Sequence, residues 1–231
     1  MYQYLEIERN PLLHLCVTEP IRRGTAQILR QNPHGLLAFD RPSGLYLLAA
    51  DGVGSAAGLL EGVADVGFIM LLDAAFEPLI ERYHLSGRMR CHQAGLLKAS
   101  PPPDPRLTIE APDDFAFARI LQTYHMDTPE ELRRRRDAGE LFFARDAHGN
   151  DVGFVGLHPE GCFGLLEVFP EQRGKGYGAA LEAHILRFCL ENDRIPYCQV
   201  EVENRISLNL QRRLGLDVSP ETSLFAWNGK G

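Results

Sequence analysis

The sequence has no apolar run that approaches the length of a membrane span, which excludes a helical membrane anchor within it. It lacks the basic-then-apolar opening of a secretory leader. Met1–Asn10 carries Glu6 and Glu8 instead, so no signal peptide is expected. Excess positive charge is missing too: the formal net charge is -7, which argues against a general nucleic-acid binder. No Cys-x-x-Cys pair occurs. The cysteines at 16, 91, 162, 189 and 198 are odd in number, so reduced, mostly buried thiols and a cytoplasmic location are expected. His84, Cys91 and His92 lie close in sequence but on different expected elements, so no metal site is expected. Low-complexity tracts and short repeats are also absent.

What remains is an ordinary globular composition, 45% hydrophobic and 24% charged over 231 residues, enough for one large or two small cores. The composition breaks at Ser100-Pro-Pro-Pro-Asp-Pro105, a stiff stretch that cannot be helix. It divides the chain into a smaller α/β domain over 1–100, a linker over 101–105 and a second domain over 106–231. In the first half, Met1–Arg9 is expected to be helical or extended, Ile21–Arg30 a short helix, and Gly35–Asp40 with Gly44–Ala50 a hairpin. Val53–Leu60 and Ala74–Tyr83 read as helices, Val66–Leu71 and Arg88–Leu97 as strands.

The second half reads as a strand (Leu107–Glu110) and two helices (Pro112–Thr123 and Thr128–Ala138). Thr128-Pro-Glu-Glu131 has the pattern of a Thr cap with Glu three residues on. Three strands follow (Glu140–Arg145, Asp151–His158 and Gly161–Phe169), then a helix to about Asn192. A strand over Tyr197–Glu203, a helix over Ser207–Leu214 and a strand over Ser223–Trp227 complete the chain.

The chain is organised around Glu167–Gly178, Glu-Val-Phe-Pro-Glu-Gln-Arg-Gly-Lys-Gly-Tyr-Gly. A strand runs into Pro170, which ends regular pairing. Glycines at 174, 176 and 178 then open a helix. Such a turn leaves backbone N–H groups unpaired at a helix N-terminus, and Arg173 and Lys175 add charge. That is a site for a phosphate or pyrophosphate.

A P-loop is excluded, because Lys175 is followed by Gly176 rather than Ser or Thr. A dinucleotide fingerprint is matched by Gly174-Lys-Gly176-Tyr-Gly-Ala179, with Glu201 as the acid some twenty residues on. That motif should open a βαβαβ series, and too little chain follows to build one. A third reading rests on resemblance. Arg173-Gly-Lys-Gly176-Tyr-Gly178 resembles the Arg/Gln-x-x-Gly-x-Gly/Ala motif of the GNAT superfamily of N-acyltransferases. Asn204-Arg-Ile-Ser207-Leu-Asn-Leu210-Gln-Arg-Arg-Leu214-Gly215-Leu216 is similar to that family's second motif, with some likeness to the glycine N-acyltransferase branch. The element order from Leu107 to Trp227 also looks like the family's.

The resemblance implies a mixed, mainly antiparallel sheet with helices on both faces, preceded by the smaller α/β domain. It also implies strands that splay apart around Val168 and Val202, with acetyl-CoA as cosubstrate. Its pyrophosphate would lie on Arg173, Gly174, Lys175, Gly176, Tyr177 and Gly178, and its pantetheine arm near Val168, Asn204, Ser207 and Gln211. A neutral amine would attack the thioester directly, a backbone N–H near Val168 would stabilise the oxyanion, and a base would take the amine proton. Glu167, Glu201 and Glu203 are the base candidates, with Glu201 and Glu203 expected on one strand face; the plainer reading of each is a solvated or paired carboxylate. The family often places an acidic Tyr where this chain has Gln211, which has no titratable proton.

Arg133–Arg136 could meet a phosphate but reads more simply as a solvated helix face. His125 and His158 read as surface residues, and Cys162 and Cys198 are not needed as nucleophiles. In the first half, Ile21-Arg-Arg-Gly-Thr-Ala26 looks like a segment in the N-terminal halves of some GNAT proteins, compatible with a degenerate half of the same fold. The expected function is acyl transfer from acyl-CoA to an amine of a small molecule or amino acid, with no nucleic-acid or membrane partner. A non-catalytic acyl-CoA sensor of the same fold is the alternative.

Overall fold

A computed structural model describes residues 2–96 and 103–228. The last residue of the expected strand Arg88–Leu97 and the start of the 101–105 linker therefore lie outside the described residues. Two compact units form: residues up to Gly95 together with those from Tyr197 onward, and Leu96 to Pro196. They do not follow the division suggested by the Pro-rich stretch, because the last strands of the chain pair with the first half's sheet.

The first unit starts with α1 (Glu6–Arg9) and α2 (Leu15–Arg22), then β1 (Ala26–Asn32), β2 (Gly35–Asp40) and β3 (Leu45–Ala50). After α3 (Val53–Leu60) come β4 (Phe68–Leu71), a 3₁₀ helix (Ala74–Tyr83) and β5 (Gly87–Gly95). The expected helix over Ile21–Arg30 is a correction. Gly24 adopts φ +76°, which stops α2, and Ala26–Asn32 instead pairs antiparallel with β2. The β2–β3 turn is held locally: Asp40 Oδ2 accepts from Ser43 N and Oγ, and Gly44 has φ +70°. Ala74–Tyr83 is 3₁₀ rather than α-helical; Pro78 within it has no N–H to donate.

The second unit holds β6 (Leu107–Glu110), α4 (Asp114–Thr123), α5 (Pro129–Asp137), β7 (Leu141–Asp146), β8 (Asp151–Leu157) and β9 (Phe163–Val168). A 3₁₀ turn (Pro170–Gln172) then leads into α6 (Tyr177–Glu191). The chain returns to the first unit with β10 (Tyr197–Glu201), α7 (Arg205–Arg213) and β11 (Asp217–Trp227).

The first unit's sheet runs β1-β2-β3-β4-β11-β5-β10, antiparallel except for β3 with β4, which α3 connects. Leu37, Leu48, Ile69 and Leu71 pack beneath α3 and the 3₁₀ helix with Leu60, Phe76 and Ile80. Leu36, Leu47 and Met70 alternate with them on the opposite face and are also fully buried. The second unit's sheet is the antiparallel meander β6-β7-β8-β9. Phe143, Phe154 and Leu165 meet Phe117, Ile120 and Leu132 of α4 and α5. On the other face Phe142 of β7 meets His184 and Phe188 of α6, at ring distances of 4.7 and 4.8 Å. The Thr128 cap is realised, its side chain accepting from Glu131 N at 3.1 Å.

Burial, and then the nearby Arg187, lower the pKa of His184 to about 4. The unfolded chain therefore takes up a proton at this site first as pH falls below the ordinary value of 6.5, and the folded state loses stability from there down to about 4. Urea melts across that window should show a smaller acid-side loss for His184→Phe than for the parent chain; equal slopes would mean that His184 does not contribute.

Candidate functional site

β9 is the edge strand of its sheet, paired with β8 alone among the described residues. In an antiparallel ladder successive residues point their N–H and C=O groups to opposite sides. Phe169 N donates to Val152 O across the β8 side, so Val168, one residue earlier, turns its backbone groups to the open side. Arg173 answers there: its Nε donates to Val168 O at 2.9 Å, and Nη2 lies 3.6 Å from Glu167 Oε1. Glu167 faces the same side of the sheet as Leu165 and is about one-fifth exposed.

Beyond Val168 the turn is anchored from behind. Arg119 of α4 ion-pairs with Glu171, sits 3.9 Å over the Phe169 ring and reaches Asp151 at 2.8 Å. The chain then passes Gly174 at φ +78° and Gly176 at φ +80° into the 15-residue helix α6. Gly176 is the N-cap and offers no side-chain cap. The amides of Gly174, Lys175 and Gly176 make no hydrogen bond among the described residues. A Cβ built on Gly174 would meet nothing within 4 Å, and one on Gly176 only Arg106 Nη2 at 3.8 Å. The turn thus has free donors, open space and the positive end of a helix together, the arrangement that holds a phosphate. A pyrophosphate fits this cradle.

Lys175 lies at this turn with Nζ bonded to Gln172 Oε1 at 2.7 Å. Arg106, which the sequence reading did not single out, brings a further cation. It donates to Lys175 O at 3.1 Å, lies 5.2 Å from the Tyr177 ring and pairs with Asp104 at 2.6 Å. Its partner Asp104 falls in the expected linker, so nothing in the sequence pattern pointed to it. Tyr124, at the end of α4, was also missed, because its neighbours come from separate elements. It is buried, and its hydroxyl pKa is raised by that burial and then by repulsion from Asp127, Cys162 and Glu167.

The other expected residues lie in the first unit. Asn204 caps α7, its Oδ1 accepting from Ser207 N at 3.0 Å. Gln211 is 1% exposed, with Nε2 3.5 Å from Ser207 Oγ, so it is a buried packing residue of α7. Glu201 ends β10, the edge strand of the larger sheet, and is exposed. Glu203 is a correction: β10 stops at Glu201 and Glu203 lies in the following turn, so the two do not share a strand face. Val202 extends the pairing by one bond, to Arg90 O.

The Arg133–Arg136 run is engaged at three positions: Arg134 and Arg135 with Glu131, Arg135 also with Glu140, and Arg136 with Asp114. All five cysteines are buried outside any disulfide. Burial, then Glu201, pushes the Cys91 thiol up to about 12. Among the described residues no cluster of His, Cys, Asp and Glu is arranged to hold a metal ion, and no helix is long and apolar enough to cross a membrane.

The glycines are not equivalent. Gly176→Ala should cost about 1–2 kcal/mol in urea melts, because an L side chain is strained in the left-handed region. Gly178 has no such φ, and its Cβ would sit 3.8 Å from Val168 Cγ2, an ordinary contact. Gly178→Ala should therefore be neutral or stabilising, by up to about 1 kcal/mol of helix propensity; the reverse order would contradict the turn geometry.

Comparison with known proteins bears directly on this geometry. Residues 107–216 match the family model described as "Acetyltransferase (GNAT) family". No curated protein matches the sequence. Among solved structures, a Drosophila protein superimposes with a TM-score of 0.68 at 14% identity, covering 96% of this chain and 84% of that one. A putative GNAT-family acetyltransferase from Novosphingobium aromaticivorans gives 0.56 at 14% identity, covering 93% and 95%. A GCN5-related N-acetyltransferase from Kribbella flavida gives 0.56 at 11%, covering 96% and 95%. The likeness of fold thus extends over the first half as well as the matched region. Residues 107–216 are thus similar to the acetyltransferase (GNAT) family.

Proposed function

We propose that the protein transfers an acyl group, most simply acetyl, from acyl-CoA to an amine of a small molecule or amino acid. The observation that carries this reading is the open turn at Gly174–Gly176, with three free amides at the head of α6, directly after an edge strand whose last residue turns its backbone outward.

Arg173, Gly174, Lys175, Gly176, Tyr177 and Gly178 would hold the pyrophosphate, with Arg106 as a further cation beside it. The outward N–H and C=O of Val168 suit the amide-rich pantetheine arm. When bound, acyl-CoA supplies the reactive thioester carbonyl. Val168 N–H then donates to the negative charge that develops on that oxygen. Glu167 is the favoured base, since it adjoins Val168 in sequence and is partly withdrawn from water, whereas Glu201 and Glu203 are exposed. Gln211 supplies no proton, and its burial in α7 takes it out of the reaction. The departing thiolate is then protonated by water. Arg173, which occupies Val168 O, releases that carbonyl when the arm arrives.

Calorimetric titration with acetyl-CoA tests the reading. Saturable binding is expected, and Gly176→Glu should abolish it while the circular dichroism spectrum is kept, since the added Cβ meets only the flexible end of Arg106. Absence of binding to the parent chain would overturn the proposal. In a thiol-release assay over an amine panel, Glu167→Gln should lower kcat by roughly 10²–10⁴-fold with little change in acetyl-CoA affinity. Binding without thiol release across the panel would instead favour a sensor of acyl-CoA.

A further inference from the structure

A cavity of about 380 Å³ lies wholly within the first unit, between its N-terminal segment and one end of its sheet. Its polar lining comes from Tyr4, Glu6, Asn10, His14, Asp73, Glu221 and Thr222, and Leu13 and Leu72 form apolar wall. Nothing in the acyl-transfer reading uses it.

Two of these side chains are more than nine-tenths buried and lack hydrogen-bond partners where they meet the cavity. His14 is 3% exposed. Its Nδ1 is 2.8 Å from Asn10 O, and because a carbonyl can only accept, Nδ1 carries the proton. Nε2 therefore keeps a lone pair, and no described residue donates to it. Burial lowers the pKa of this imidazole against the opposing pull of Asn10 O, Glu6 and Glu221, which favours the neutral form with that lone pair available. Tyr4 is 4% exposed, and its hydroxyl has no hydrogen-bond partner among the described residues. The two rings meet edge-on with centroids 5.9 Å apart. Neither Nε2 nor Oη belongs to the fully buried unpartnered atoms, so both reach the solvent of the cavity and are open to a ligand or water that can donate to them.

The rim selects the sign of that ligand. Three carboxylates line the cavity and no Lys or Arg does. Glu6 is shared with Arg9 at 2.7 Å, and one oxygen of Asp73 accepts from Ala75 N. Glu221 has no ion pair among the described residues. It lies where the register of β11 against β5 shifts between Val218 and Thr222, an irregularity that re-aims side chains out of the ladder.

We infer that the first unit holds a binding site for a small primary ammonium ion with a short apolar body. His14 Nε2 and Tyr4 Oη accept two of its hydrogen bonds, and Glu221, with Asp73, supplies the counter-charge. An ammonium group has three donors and no acceptor, which matches two lone-pair acceptors and a carboxylate; a carboxylate ligand would face like charge on the rim. The site does not depend on the acyl-transfer reading, because amine binding is measured without acyl-CoA.

The test uses the full chain, butylamine and putrescine as probes, and butyrate and butanol as controls, in calorimetry without acyl-CoA. Saturable binding of at least one amine and none of either control is expected. Glu221→Gln should weaken that binding about tenfold, the scale of a lost charge-assisted hydrogen bond. Because His14→Gln risks misfolding at a buried position, the parent chain's His14 Nε2 resonance, followed by nitrogen-15 NMR, gives the second readout. It should move on amine titration and stay fixed with butyrate. Failure of every amine to saturate, equal binding of butyrate, unchanged affinity in Glu221→Gln or a stationary Nε2 signal would each overturn the inference and leave a cavity that holds water only.

Discussion

A β-strand has two hydrogen-bonding sides, and β9 has a partner on only one. Much of the candidate acyl-CoA site follows from that. The open side leaves the backbone of Val168 without a ladder partner, and the chain has answered locally by folding Arg173 back onto its carbonyl. Pro170, immediately downstream, ends regular pairing and starts the turn that leads to α6. In the proposed function, an edge that would otherwise invite strand addition would serve as the recognition surface for an amide-bearing ligand.

The turn that follows is held from one side and left bare on the other. Arg119 ties Glu171, the Phe169 ring and Asp151 together, so that α4, β8 and the start of the turn share one charged anchor. On the bare side, left-handed backbone at Gly174 and Gly176 leaves amides exposed at the head of α6, with almost nothing in the space above them. Rigidity behind and vacancy in front are what a preorganised anion site requires: the donors stay where the ligand needs them and nothing has to be displaced.

The first unit shows the opposite economy. Its sheet is covered on both faces, and backbone carbonyls take up several of its polar side chains: His92 Nδ1 reaches Ser219 O at 2.9 Å, and Tyr83 Oη donates to Val63 O at 2.9 Å. Against that background Tyr4 and His14 stand out, two largely buried side chains that line a common cavity. They flank α1 and the entry to α2, in a stretch with no motif to draw attention to it.

Most of the second unit was legible from its residues, because its signals are local. Thr128 caps α5 as its spacing required, Pro170 and the paired glycines mark the turn, and alternation placed β7, β8 and β9 to within two residues. The glycine stretch and the Asn204–Leu216 segment were sufficient to suggest the family, since both depend on short runs of specific residue types. What failed depended on distant chain. Ile21–Arg30 has helix-compatible residues, yet Ala26–Asn32 is a strand because β2 supplies an edge for it. Glu203 left the strand face because β10 ends earlier than its apolar pattern. Arg106, Tyr124 and the Tyr4–His14 cavity gather residues from separate elements, and no spacing rule encodes that. Above all, β10 and β11 pair with β5 and β4 rather than staying with the half of the sequence that precedes them. Local chemistry determined the turn, the caps and the family; tertiary structure decided which strands meet, because strand pairing joins residues more than a hundred positions apart, and the chain between them carries no record of it.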